Sequence, residues 1–270
     1  MFLAAPFVAS LILTGIHAYL GVHVVERGVI FVDLSLAQIA AFGTTVAVLA
    51  GFEPHGAGAY WMSLAFTFLG AAVFSTVRLH TSKIPQEAII GICYAVASAA
   101  AIVAMSKSTA QTEHLKEMLV GNILAVSWAE VRKTAVLYAA VGLFHFLFRK
   151  RFLLISMHPE EAEKQGVSVR LWDFLFYASF GFVVTSSVAI AGVLLVFCYL
   201  IVPSVAAMLY AENIGPRLAI GWIMGTVVSV LGVYLSLKVD LPTGATIVCT
   251  FGLILIIMGL FRGVVKRVLA

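Results

Sequence analysis

Charge is what this chain has least of. Its 270 residues carry 17 Lys and Arg and 13 Asp and Glu, 11% in all, where an ordinary soluble domain has roughly 25%. That is too little polar surface to keep a globule dissolved, and it excludes a soluble domain. The three cysteines, Cys93, Cys198 and Cys249, stand apart in separate apolar segments. They form neither a disulfide framework nor a closely spaced thiolate site, and each reads as a small packing residue. No Lys/Arg-rich run or basic helix interleaved with aromatics occurs, so a net charge of +4 does not indicate nucleic-acid binding. The sequence has no G-x-x-x-x-G-K-[ST] loop, no H-E-x-x-H pair and no G-x-S-x-G elbow. Nucleotide hydrolysis, zinc proteolysis and serine-hydrolase chemistry therefore have no seat here.

Apolar residues make up 62% of the chain, with a mean hydropathy of +1.06. A hydrocarbon core of about 30 Å takes roughly 20 apolar residues as a helix, because lipid cannot satisfy backbone polar groups. Nine such segments are present: 3–22, 31–49, 59–77, 87–105, 131–148, 171–189, 192–209, 218–237 and 243–261. The run from 171 to 210 divides at Ala191-Gly192; an undivided run would leave eight spans. The first Lys or Arg is Arg27, so the leading segment lacks a basic n-region and reads as a retained span. Nine spans place Arg27, Arg78, Lys83, Arg149, Lys150, Arg151, Lys164, Arg170, Arg217, Arg262, Lys266 and Arg267 on one side. Lys107, Lys116, Arg132, Lys133 and Lys238 fall on the other. The positive-inside bias makes the first group cytoplasmic, with the N-terminus outside and the C-terminus inside.

Two connecting segments are long enough for structure of their own. Residues 106–130 mix charges with Leu115, Met118, Leu119 and Trp128 and read as an amphipathic piece on the outer side. Residues 150–170 contain His158-Pro159-Glu160-Glu161-Ala162-Glu163-Lys164-Gln165-Gly166. Proline followed by acids starts a helix and Gly166 stops it, so a cytoplasmic helix of about two turns is expected.

Polar groups at membrane depth are the functional candidates, since an ionisable side chain there costs at least about 2.5–3.5 kcal/mol on insertion scales. Asp33, early in an otherwise apolar span, is the foremost. Gln38 follows five residues later, about 140° away round a regular helix; a π-type bulge or an irregular start would let the two meet. Without one, Asp33 would hydrate a helix end and Gln38 would bond a neighbouring helix. His17 and His23 stand on different faces of the first span without a His partner. Glu87 reads as a first-turn acid favoured by the helix dipole, Asp240 as a cap on the last helix, and Pro203 as a kink in the seventh span. Gly221, Gly225 and Gly232 form a stripe for close helix packing. A membrane-embedded aspartyl protease needs two converging Asp residues, and only Asp33 stands at depth.

Several stretches, in order, resemble the membrane permeases of bacterial ABC importers for zinc, manganese and iron, the ABC-3 type. They are Gly28-Val29-Ile30-Phe31-Val32-Asp33 through Gly43, Gln86-Glu87-Ala88-Ile89-Ile90-Gly91-Ile92, and Gly192-Val193-Leu194-Leu195-Val196 through Pro203-Ser204-Val205-Ala206-Ala207. The last is Asp240-Leu241-Pro242-Thr243-Gly244-Ala245-Thr246-Ile247-Val248. Glu160, Glu161, Ala162 and Gly166 are similar to the coupling motif of such permeases, an acidic-Ala helix ended by Gly. The family places an Asp and, four residues on, a His along its path; here the interval is one longer and Gln38 stands in place of the His. A carboxylate and an amide are a harder and weaker ligand set than one with imidazole, which suits zinc.

The resemblance implies an all-α polytopic bundle forming one permease domain over 1–270, with a coupling segment at about 157–168. It implies a transport subunit of an ATP-driven importer, in the bacterial inner membrane, with no enzymatic activity and no permanently bound cofactor. The transported divalent metal ion would meet Asp33 and Gln38. Expected partners are a separate ATP-binding ABC subunit, an extracytoplasmic metal-binding protein, a second copy of the chain and lipid. The alternative keeps the architecture and changes the cargo to a metal chelate or small organic cofactor. An ion-driven secondary carrier is disfavoured by the shortage of buried charge.

Overall fold

The computed structural model describes residues 4–53, 56–77, 84–106 and 123–269, with side chains as far as 262. These residues form α1 (Ala4–Glu26), α2 (Val32–Leu49), α3 (Ala57–Val77), α4 (Gln86–Met105), a 3-10 turn (Ile123–Ala125) and α5 (Trp128–Leu147). There follow α6 (Arg149–Met157), α7 (Pro159–Lys164), α8 (Val169–Ala191), α9 (Val193–Tyr210), α10 (Ile214–Val239) and α11 (Thr243–Leu269). Among the described residues there is no strand. The fold is a helical membrane bundle, as hydropathy requires.

Among the described residues eight helices are individually long and apolar enough to cross a bilayer. The fifth expected span differs. Glu130, Arg132 and Lys133 lie within the first turn and a half of α5, leaving it too few uncharged residues, and it becomes a ninth span only together with α6, from which it is bent by 75°. Ser127 and Glu130 explain its sharp start. The Ser127 amide and hydroxyl both donate to Glu130 Oε2, at 2.8 and 2.7 Å, and the Glu130 amide donates back to Ser127 Oγ at 3.2 Å, a reciprocal capping box. Most of the amphipathic piece expected at 106–130 lies outside the described residues, as do Arg78, Lys83, Lys107 and Lys116. The break at Gly192 is where the sequence placed it: φ is +76°, a left-handed conformation that a Cβ disfavours, and α8 and α9 end and begin on either side.

The helices gather into two compact units built from interleaved segments, residues 1–25, 119–138 and 190–270 in one, 26–118 and 139–189 in the other. In the second, α2 packs on α3 and α4. Small residues permit the approach: a Cβ on Gly43 would meet the Ser63 backbone at 2.9 Å, and Ser63 Oγ donates to the Ala40 carbonyl at 2.9 Å.

In the first unit, α9, α10 and α11 pack on one another. The expected glycine stripe is where α10 closes on α1, α9 and α11. A Cβ on Gly225 would press on Thr14, one on Gly221 would touch Ala18 and Pro203, and one on Gly232 would come within 2.8 Å of the Ile247 Cα. Gly21, which the sequence did not mark, has the tightest fit, its missing Cβ replaced by the Leu200 carbonyl. Pro203 sits inside the continuous helix α9, and the Ser204 hydroxyl donates back to Leu200 O at 2.9 Å. Asp240 departs from expectation. With φ +56° it terminates α10 rather than opening α11, while Ser236 stitches the turn through the Leu241 carbonyl at 2.7 Å and Thr243 Oγ1 at 2.6 Å. The cysteines are free; Cys93 and Cys198 are half-buried and Cys249 is exposed, so the last is not the interior packing residue its type suggested.

Gly232→Ala is expected to lower unfolding stability by about 1–3 kcal/mol, because the neighbour at Ile247 is backbone and cannot step aside. Gly15→Ala, with nothing within 4 Å of the new atom, should be neutral. Thermal unfolding of the two purified variants checks the pair.

Candidate functional site

The start of α2 is held from a neighbouring helix. Its first cap residue, Phe31, has no local side chain bonded to it. Instead, Glu87 in the first turn of α4 accepts the Phe31 amide on Oε1 at 3.0 Å. Glu87 is thus a first-turn acid, as expected, and caps α2 as well. Two residues into the turn so fixed stands Asp33. It is 1% exposed, and neither of its carboxylate oxygens has a hydrogen-bond partner; Ser35 Oγ and Glu87 Oε2 share that condition. Buried polar atoms are nearly always paired, so this group of oxygens at one helix start is a chemical anomaly; Arg27 Nη2 and Ser98 Oγ are single atoms in the same condition elsewhere in the second unit. Sequence reasoning found Asp33 and missed Ser35, a residue type too common in membrane helices to signal anything alone.

Gln38 is half-buried on the same helix. α2 runs from Val32 to Leu49 as regular α-helix without a π-bulge. Five steps of 100° leave Gln38 about 140° round from Asp33, so the helix does not bring the two to one face. His17 donates from Nδ1 to its own helix at the Leu13 carbonyl, 2.8 Å away, and its ring meets Tyr138 edge-on; His23 packs on Tyr19. Among the described residues no group of three or more His, Cys, Asp and Glu could hold a metal. What Asp33 offers is hard oxygen donors, suited to a transient cation and not to tight capture.

The coupling-like segment folds as its residues direct. Pro159 occupies the first turn of α7 and Glu160 and Glu161 follow it. At the other end Gly166 takes φ +71°, its amide bonds the Glu163 carbonyl at 2.9 Å, and Val167 N bonds Ala162 O at 2.9 Å. These two bonds are a Schellman stop, which needs a residue free to be left-handed. Ala162 is fully buried, while Glu160, Glu161 and Gly166 are exposed. The helix therefore rests on its alanine and presents its acids outward.

Two buried groups escaped sequence reasoning. Arg27, by sequence one of the topological charges, has a fully buried side chain paired with Asp173, whose side chain is also fully buried. The partners lie 146 positions apart, so no local pattern signals them. His145 is buried too, its Nε2 2.8 Å from Ser179 Oγ.

Comparison with known proteins follows the same lines. A model of the ABC 3 transport family matches residues 1–262. The chain is 28% identical over 247 residues to a "Probable iron transport system membrane protein" of Haemophilus influenzae, covering 92% of this chain and 89% of that one. It is 29% identical to the "Manganese transport system membrane protein MntC" of Listeria monocytogenes, covering 77% and 76%. In structure it resembles PsaBC from Streptococcus pneumoniae, with a TM-score of 0.78 at 23% identity over 96% of this chain and 91% of that one.

An unpartnered buried carboxylate is a liability to the fold. Asp33→Asn, which keeps the shape and removes the charge, is expected to leave unfolding stability unchanged or raise it, because an unpaired buried charge costs more than an unpaired buried amide. A marked fall in the unfolding temperature of the variant would mean that the carboxylate has a structural partner.

Proposed function

Since this chain belongs to the ABC 3 transport family and is a multi-pass transport subunit, not an enzyme, we propose that it forms the path of an ATP-driven importer for a divalent metal ion. The observation that carries the reading is Asp33, buried with both oxygens unpartnered. A passing cation offsets the insertion cost of that carboxylate, and single-residue coordination lets the ion leave again. Gln38, on another face of α2, serves as a separate and weaker oxygen contact. Manganese and iron in the names of the relatives support a metal cargo over a small organic cofactor. The cargo is substrate, and the mechanism assigns no permanent cofactor.

ATP hydrolysis belongs to a partner ABC subunit, which docks on the exposed acids of α7 (Glu160 and Glu161), with Ala162 and Gly166 fixing the helix beneath. Docking there delivers the rigid-body motion that alternates access. An extracytoplasmic binding protein supplies the ion, because this chain has no dense ligand cluster among its described residues. A second copy completes the path. Lys164, Arg170, the Arg149–Arg151 cluster, Arg217 and Arg262 support a cytoplasmic α7 and C-terminus with the N-terminus outside. Interleaving of both compact units along the chain supports treating 1–270 as one permease domain.

Asp33→Asn is expected to cut ATP-dependent metal accumulation by about tenfold or more, the worth of one charged contact, while the complex still assembles; undiminished uptake would refute the assignment. Gln38→Ala should have a smaller effect in the same assay. At the other end of the device, Glu161→Lys or Gly166→Val should abolish transport-stimulated ATP hydrolysis. Co-purification of the ATPase with normal stimulation would count against docking at α7.

A further inference from the structure

We propose that Arg27 is a positioning residue for transport: its guanidinium ties the start of the Asp33 helix to the two helices that bracket α7, so that motion delivered at α7 is carried to α2. This rests on the permease reading above and adds the transmission element within the second unit.

The geometry is a three-way junction. Arg27 follows the last residue of α1; its Nε donates to Ser156 Oγ at 2.9 Å and its Nη1 to Asp173 Oδ1. The plane lies over the Phe176 ring, 4.0 Å from the centroid, with Tyr177 at 5.8 Å. Ser156 is in the last turn of α6, three residues before Pro159 opens α7. Asp173 is in the second turn of α8, shortly after Gly166 and Val167 close α7. The guanidinium thus grips the polypeptide on both sides of the coupling helix. Aromatic packing stiffens that grip: Phe152 of α6 stacks on His145 at 4.2 Å and meets Trp172 and Phe176 of α8 at 5.3 and 6.2 Å. Toward the site, only the turn from Gly28 to Phe31 separates Arg27 from α2. That turn is closed by Val32 N on Val29 O at 3.1 Å and by Glu87 on the Phe31 amide.

A buried ion pair is poor value as a stabiliser, since apolar groups of the same volume often do as well. What a guanidinium supplies and apolar groups do not is direction. Its planar fork fixes the relative register of the segments it bonds. Here those segments are the entrance to α2 and the two anchors of α7, and they share one rigid cation with no solvent to screen it.

The test uses the whole complex with its ATPase and binding-protein partners in proteoliposomes, comparing Arg27→Gln, Arg27→Lys, Asp173→Asn and the volume-conserving pair Arg27→Met with Asp173→Leu. ATP hydrolysis should stay within about twofold of wild type while ions imported per ATP fall by about tenfold or more in Arg27→Gln and the apolar pair, with partial recovery in Arg27→Lys. An apolar pair that imports at the wild-type ratio, or variants in which hydrolysis, import and assembly fall together, would overturn the proposal. Pulsed EPR between labels on the exposed Ile30→Cys and Gln165→Cys, in a chain lacking its native cysteines, reads the same link without a cargo. The distance should be the same with and without ATP in the wild type and change in Arg27→Gln; a wild-type distance that changes with ATP would overturn it. Failure of wild-type metal import with an ATP-invariant EPR distance would instead refute the cargo and leave the junction standing.

Discussion

Everything in this structure answers to the impossibility of borrowing a hydrogen bond from hydrocarbon. The backbone meets the demand by being helical almost throughout. Hydroxyls meet it by turning back on their own helix, as Ser10 does to the Pro6 carbonyl at 3.0 Å, Thr14 to Ser10 at 2.8 Å, Thr67 to Ser63 at 2.9 Å and Ser229 to Gly225 at 2.6 Å. Even His17 follows the rule through Leu13. Against that pattern the Asp33 carboxylate at the head of α2 stands out, neither of its oxygens hydrogen-bonded, together with Ser35 Oγ and Glu87 Oε2.

The second unit contains the two physically distinct ways of keeping charge out of water. Arg27 and Asp173 pair within the chain, with a hydroxyl on Nε and an aromatic face against the guanidinium, while Nη2 has no hydrogen-bond partner. Asp33 is left open. A buried pair gives fixed geometry, and in the proposed transport role an unpaired carboxylate gives a contact that a mobile cation can make and break. The two stand six residues apart in sequence, joined by a turn whose far end Glu87 pins. A transport subunit needs both properties adjacent, a rigid connection and a reversible contact.

Much of this was legible in the residues. Apolar runs of span length carry their own secondary structure in lipid, so all nine segments stand as helices near the expected places, eight of them long and apolar enough to span by themselves. The Gly192 break and the Pro159-to-Gly166 helix were readable because proline and glycine act through local sterics. What stayed hidden depended on partners distant in the chain. The Arg27 pair needed contact across 146 positions, so Arg27 passed for a topological charge. Glu87 was correctly a first-turn acid, but its role on Phe31 belongs to another helix. Asp240 could have capped either neighbour on pattern alone. Asp33 emerged because its anomaly is one of composition, an acid where acids are costly; whether Gln38 shares its face turned on a single bulge that the regular α2 does not have.

The most direct measurement is elemental analysis of cells with and without this chain, grown under metal limitation and assayed for manganese, iron and zinc together. A path lined by one reversible carboxylate predicts that removing the chain depletes one or more of these metals and that restoring it returns the content to the starting level. Unchanged contents of all three, with growth rescued only by a metal chelate or an organic cofactor, would contradict it.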